Sequence, residues 1–180
     1  MQNLTGLVVK GYEMRELIGV GGFAAVYRAH QAAVDREVAI KVILPKYADD
    51  PEFVRRFEAE AQLIARLEHI HIVPLFDYWR EPSNAYLVMR WLRGGNLYSV
   101  LKQDGPWDVP ATVRLAEQLA SALNVAHQNG VIHQDVTPSN VLLDDQRNAL
   151  LTDFGIAKAL LKESEDTGSR YGSPAYMSPA

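Results

Sequence analysis

Through much of the first half of the chain, apolar and polar positions alternate with a period of two, the spacing of strands with one buried face. Tyr12 to Ile18 and Ala24 to Ala29 predict strands on either side of a glycine cluster, and Glu37 to Ile43 predicts a third. In that third strand Val38, Ile40 and Val42 share one face, while Ala39, Lys41 and Ile43 share the other. The rhythm then changes. After Asp49-Asp50-Pro51, where acidic residues and proline suit a helix N-terminus, Phe53, Phe57, Ile64 and Leu67 recur at helical spacing. Ile72 to Trp79 and Ala85 to Leu92 predict two further strands joined by a Glu-Pro-Ser-Asn turn.

Arg93-Gly94-Gly95-Asn96 interrupts the pattern and reads as a linker. Beyond it two helices are expected, of which the pattern locates one. That helix starts near Asp108 as N-cap, carries the apolar stripe Leu115, Leu119, Ala122, Leu123 and Ala126, and ends at Asn129-Gly130. Short strand-like runs follow at Val131 to His133, Val141 to Leu143 and Leu150 to Thr152, and the stretch from Lys162 to Arg170 is polar. A β-rich lobe over residues 1–92 followed by a more helical one over 93–180 predicts an α+β protein.

Composition narrows the class. Of 180 residues, 48% are apolar and 22% charged, the balance of a globular chain. Lysine plus arginine is 18 against 22 aspartate plus glutamate, a net charge of −4, which argues against a nucleic-acid binder. The chain has no cysteine, so disulfides, thiolate metal sites and cysteine nucleophiles are excluded. No apolar run approaches the ~18 residues of a membrane span, and no secretory h-region opens the chain. A cytoplasmic protein is expected.

Candidate chemistry begins at Gly19-Val20-Gly21-Gly22-Phe23-Ala24, between two strands. Glycines allow a tight turn and a close approach of backbone N–H groups to phosphate. A dinucleotide-binding turn would need a helix next, and Ala25-Val26-Tyr27-Arg28 continues as strand. Lys41 lies inside an apolar strand, and Glu60 lies on the inward stripe of the following helix. Each charge accounts for the other if they pair, since one unmatched partner of a buried pair costs about 3–5 kcal/mol. In the second half, Asp135, Asn140 and Asp153 border short buried strands, where convergent loops build sites. Asn140 and Asp153 carry the oxygen donors that Mg²⁺ prefers when it also holds phosphate, and Asp135 is placed to accept a hydroxyl proton.

Taken together these motifs resemble a protein kinase of the bacterial serine/threonine type, over about Tyr12 to Pro179. Val38-Ala39-Ile40-Lys41 resembles the family's strand-three lysine motif, Glu60 its helix-C glutamate, His133-Gln134-Asp135 with Asn140 its catalytic loop, and Asp153-Phe154-Gly155 its metal-binding motif. The resemblance implies a two-lobe kinase fold, ATP and Mg²⁺ as cofactors, and transfer of the γ-phosphoryl group to serine or threonine hydroxyls of a protein substrate. It implies Asp135 as catalytic base with Lys41 and Glu60 in support, and Asn140 and Asp153 as metal ligands. It implies nucleotide contacts from the glycine loop, Gly19 to Ala24, and from Asn96. Val26, Ala39 and Leu142 would sandwich adenine, with Met89 as gatekeeper and Arg90, Trp91 and Leu92 as hinge. Ile64, Leu75, His133 and Phe154 would stack as a regulatory spine, and Gly172 to Pro179 would receive the substrate backbone.

Four departures qualify the match. Ala24 replaces the third glycine of the loop, a tolerable change. Gln134 stands where many relatives carry an arginine that pairs with a phosphorylated activation loop, so switching by loop phosphorylation is not expected, although Ser164, Thr167, Ser169 and Ser173 are candidate phosphosites. Thr137 stands where the serine/threonine class places a lysine beside the transferring phosphate, a loss expected to slow chemistry by about 10²-fold. Ala180 occupies the place of a family glutamate, and the helical lobe is expected to be truncated there. The Leu115–Ala126 stripe would then be partly uncovered, inviting a partner. The alternative class is a non-catalytic nucleotide-binding pseudokinase or scaffold module.

Overall fold

The computed structural model describes residues 3–21, 24–43, 51–82 and 84–154, and of residues 51–54, 56 and 60 the backbone alone. The chain divides into two compact units, Met1–Ala61 with Pro74–Trp91 and Gln62–Val73 with Leu92–Ala180.

The first unit is built on six antiparallel strands: β1 (Val8–Val9), β2 (Tyr12–Val20), β3 (Ala24–Gln31), β4 (Arg36–Ile43), β5 (Leu75–Glu81) and β6 (Asn84–Arg90). Their order is β1-β2-β3-β4-β6-β5, so β4 is interior and paired on both edges. Helix α1 (Pro51–Ile64) lies in the chain between β4 and β5. The alternation in β4 sorts as expected. Val38, Ile40 and Val42 enter a core with Tyr12, Met14, Tyr27, Trp79, Tyr86 and Val88. Within it Trp79 is stacked between Tyr12 and Tyr86, at centroid distances of 5.6 and 4.7 Å. Burial, with the Glu81 carboxylate beside it, pushes the Tyr86 hydroxyl up to about 12. Phe57 on α1 is fully buried and meets Tyr78 edge-on at 6.4 Å, as the helical spacing requires.

The strand expected from Ile72 starts instead at Leu75. Pro74 has no N–H to give a ladder, and its carbonyl accepts from Arg90. The two residues before it turn to other partners. Ile72 bridges Leu151 in parallel, and Val73 N–H donates to Leu151 O at 2.8 Å. This pairing explains why Gln62–Val73 joins the second unit rather than the lobe expected to span residues 1–92.

The second unit holds α2 (Leu97–Asp104), α3 (Val109–Gln128), and the two-stranded sheet β7 (Val141–Leu143) and β8 (Ala149–Leu151). Asp108 caps α3 as its position predicts, its Oδ1 accepting from Ala111 N–H at 2.8 Å. Gly130, at φ 74°, ends that helix. Along α3, Ala122 and Ala126 are fully buried, while Leu115, Leu119 and Leu123 are half-buried. Helix α2, too short for a sustained apolar pattern, begins at the Asn96 cap, whose Oδ1 accepts from Ser99 N–H. Val131 to His133, expected as a strand, runs as irregular chain.

Gly94 ties the linker to this unit. Its N–H donates to Leu143 O at 3.1 Å, Leu143 N–H returns a bond to Gly95 O at 2.9 Å, and Asn96 bridges Leu142. A Cβ on Gly94 would come within 2.6 Å of Leu143 O and 2.7 Å of Asp144 O, both backbone atoms that cannot swing aside. Gly94→Ala is therefore expected to destabilise the chain by about 1–3 kcal/mol, read as a lowered urea midpoint. An unchanged midpoint would show that this contact relaxes freely.

Candidate active site

In the first unit the ladder registers bring four of the expected nucleotide residues onto one face. Val26 lies opposite Lys41, Lys41 opposite Leu87, and Ala39 opposite Met89. Directly paired residues project to the same side, so Val26, Ala39, Lys41 and Met89 share the face of the sheet turned away from the aromatic core. Lys41 is 9% exposed, a charged group largely withdrawn from water. Its expected partner Glu60 has its side chain outside the described residues, as do Gly22 and Phe23 of the glycine loop. Gly19 and Val20 end β2, and Gly21 N–H donates to Ala24 O at 2.8 Å, closing the hairpin. Arg90 closes β6 opposite Val38, Trp91 follows it half-buried, and Leu92 opens the second unit's segment.

In the second unit a hydrogen-bond network gathers the other candidates. Asn140 ends a single 3₁₀ turn, Pro138–Asn140, that leads into β7. Its Nδ2 donates to both the carbonyl oxygen and Oδ2 of Asp135, each at 2.9 Å. This double contact fixes the Asp135 carboxylate and turns Asn140 Oδ1 away from it, as the planar amide requires. Asn140 O accepts from Thr152 N–H at 3.0 Å, linking the loop to the residue before Asp153.

His133 completes the frame. It is 1% exposed, with Nε2 2.9 Å from Thr152 O and Nδ1 accepting from Asp135 N–H at 3.3 Å. A carbonyl oxygen only accepts, so Nε2 carries the hydrogen and Nδ1 is the bare lone pair: one neutral tautomer satisfies both contacts. Burial lowers the His133 pKa below its ordinary value, opposed by the Thr152 carbonyl and the Asp153 and Asp135 charges. Its ring packs on Phe154 with centroids 4.5 Å apart. Gln134 at φ 62° and Asp153 at φ 61° both adopt left-handed backbone, which disfavours most side chains. Strained residues of this kind collect where function demands a particular geometry. Thr137 is buried, at 7% exposure, and Leu142 is half-buried in β7 opposite Leu150. Asn96, expected near nucleotide, has its side-chain oxygen committed to capping α2.

The pattern of residues did not single out Thr152, whose two backbone groups join His133 to Asn140. Nor did it single out Gly94, where a close backbone approach demands glycine. Neither leaves a local signal, because each partner lies far along the chain. Gly155 to Ala180, which include the candidate phosphosites and the Gly172–Pro179 segment, lie outside the described residues.

Comparison with known proteins accords with this arrangement. The model of the protein kinase domain matches residues 12–180. Serine/threonine-protein kinase PrkC of Bacillus subtilis is 41% identical over 178 residues, 98% of this chain and 28% of its own length. PknH of Mycobacterium tuberculosis is 39% identical over 169 residues, 93% of this chain and 27% of its own. Among solved structures, the Mycobacterium tuberculosis PknI kinase domain superposes with a TM-score of 0.73 at 33% identity, over 84% of this chain and 62% of that one. Rad53 residues 1–466 in complex with AMP-PNP gives a TM-score of 0.72 at 28% identity, over 82% of this chain and 39% of that one. The chain belongs to the protein kinase family and has the protein-kinase fold, and the named relatives are bacterial serine/threonine kinases. It spans little more than a quarter of the length of those curated relatives.

Asn140→Ala removes both donors to Asp135. It is expected to cost about 1–3 kcal/mol in urea unfolding, because the Asp135 carbonyl loses its side-chain partner in a half-buried site. A variant as stable as the parent would show that water replaces the amide without cost.

Proposed function

We propose that this chain binds Mg–ATP and transfers its γ-phosphoryl group to a serine or threonine hydroxyl of a protein substrate. The observation that carries the reading is the hold of Asn140 on Asp135, two 2.9 Å bonds from one amide, beside a histidine locked as a single tautomer. A carboxylate so oriented suits the base that receives the substrate's hydroxyl proton as that oxygen attacks phosphorus. Asn140 Oδ1 and the Asp153 carboxylate fit a hard divalent cation, and they are the residues that would hold Mg²⁺. A bound Mg²⁺ supplies charge neutralisation at the phosphate oxygens. In the first unit, Val26, Ala39 and Met89 offer an apolar surface for adenine, and Lys41 on the same face supplies a cation for phosphate oxygens. The pairing of Lys41 with Glu60 remains part of this proposal.

Among the described residues no helix is long and apolar enough to cross a membrane.

Asp135→Asn in the full chain is expected to abolish phosphate transfer to a serine-containing substrate protein while leaving Mg–ATP affinity, measured by calorimetry, nearly unchanged. Undiminished turnover in that variant would sink the mechanism.

A second reading, a nucleotide-binding module without turnover, draws on Gln134 and Thr137, where many relatives carry cations. The two readings part on chemistry rather than affinity. Thr137→Lys restores a cation near the developing charge and is expected to raise transfer by up to about 10²-fold. If neither the parent nor Thr137→Lys transfers phosphate while both bind Mg–ATP, the non-catalytic reading stands.

A further inference from the structure

Residues 69–73 form a seam in the second unit that the expected machinery does not use. His71 Nδ1 lies 2.9 Å from Ala149 O, at the start of β8. Leu151 N–H donates to His71 O at 2.9 Å, and Val73 N–H donates back to Leu151 O at 2.8 Å. Strand β8 is thus held on one edge by β7 and on the other by residues 71–73, and it leads directly into Thr152 and Asp153. His69 braces the same segment. Its Nε2 lies 3.0 Å from Ser121 Oγ on α3, and its Nδ1 accepts from His71 N–H at 3.2 Å.

Donor and acceptor identities fix the protonation these contacts require. The Ala149 carbonyl can only accept, so His71 Nδ1 carries a hydrogen. The His71 N–H can only donate, so His69 Nδ1 must be a bare lone pair, and neutral His69 carries its hydrogen on Nε2, facing Ser121. The His69 acceptor is therefore the contact that acid removes. Protonating His69 turns its acceptor into a donor pointed at another donor, and places a cation beside the His71 ring, 5.5 Å away between centroids.

We propose that His69 and His71 are positioning residues for Asp153, and that protonation of His69 loosens the seam that holds β8. The inference rests on the reading of Asp153 as a metal ligand for its consequence in catalysis, though not for the seam itself. The surroundings agree. Burial, then the neighbouring His71, lowers the His69 pKa from its ordinary 6.5. Among the described residues His71 is the ionisable group that bears on His69; α3 presents the uncharged Ser121, and β8 carries no ionisable side chain. The sign follows from linkage. An opened seam releases His69 to bind a proton at its ordinary value, so opening takes up protons and becomes easier as pH falls below 6.5.

The test uses the full chain and His69→Asn, whose Oδ1 can accept from His71 N–H but cannot titrate. Hydrogen exchange at the Leu151 and Val73 amides is followed from about pH 7.5 to about pH 5.5, corrected for intrinsic rates, with long-range ¹H–¹⁵N spectra of the imidazoles. The parent is expected to show His69 as the Nε2–H tautomer, titrating below 6.5. It should lose Leu151 protection over the same range, by no more than about tenfold, while His69→Asn keeps its protection. Leu151 protection that ignores pH, an equal loss in His69→Asn, or a hydrogen on Nδ1 of neutral His69 would each overturn the proposal. Absence of Mg–ATP binding at every pH, with the His69-linked loss of protection intact, supports the seam and overturns the nucleotide reading instead.

Discussion

Strand β8 is three residues long, and the second unit depends on its being held on both edges. A strand that short has few ladder bonds of its own, and an isolated pair with β7 would be marginal. Residues 71–73 supply the missing edge, through the Leu151–His71 and Val73–Leu151 bonds. The linker residues Gly94 and Gly95 do the same for β7 through Leu143. What is nominally a two-stranded ribbon is therefore clamped by segments from two other places in the chain. Its far end carries Asp153 in left-handed backbone, which needs such support to persist.

From this frame the loop around Asp135 acquires its order. Thr152, the residue after β8, accepts from His133 and donates to Asn140, so strand and loop are bonded through one residue. Asn140 then holds Asp135 twice. The chain of contacts from β8 through Thr152 and Asn140 to Asp135 contains no long flexible side chain, so little rotamer entropy is spent in holding the carboxylate. The first unit solves a different problem, keeping an ammonium largely out of water within a sheet. Interior placement of β4 does this: one face completes the aromatic core, and the other carries Lys41 among Val26, Leu87 and Met89.

Much of this was legible in the residues themselves. The alternation in Val38–Ile43 predicted which residues face the core and which accompany Lys41. The Asp108 cap and Gly130 marked both ends of α3, and two of the candidates, Asp135 and Asn140, meet through hydrogen bonds. Other features were not legible. Ile72 and Val73 look like the start of β5, yet they pair with Leu151, because Pro74 cannot continue the ladder and a buried edge of β8 needs partners. Asn96 looks like part of a polar linker, yet it caps α2. Its side-chain oxygen is taken up by that cap.

The sequence by itself determined the periodic elements, the helix ends and the chemical groups, since each depends on neighbours within a turn or two of chain. Only the tertiary structure decided which groups meet. The tautomers of His69 and His133, the need for glycine at 94 and the two hydrogen bonds from Asn140 to Asp135 are set by atoms brought together in space. A hydrogen bond or a 2.6 Å clash is a property of two atoms' positions, and where those atoms are distant in the chain no local pattern records it.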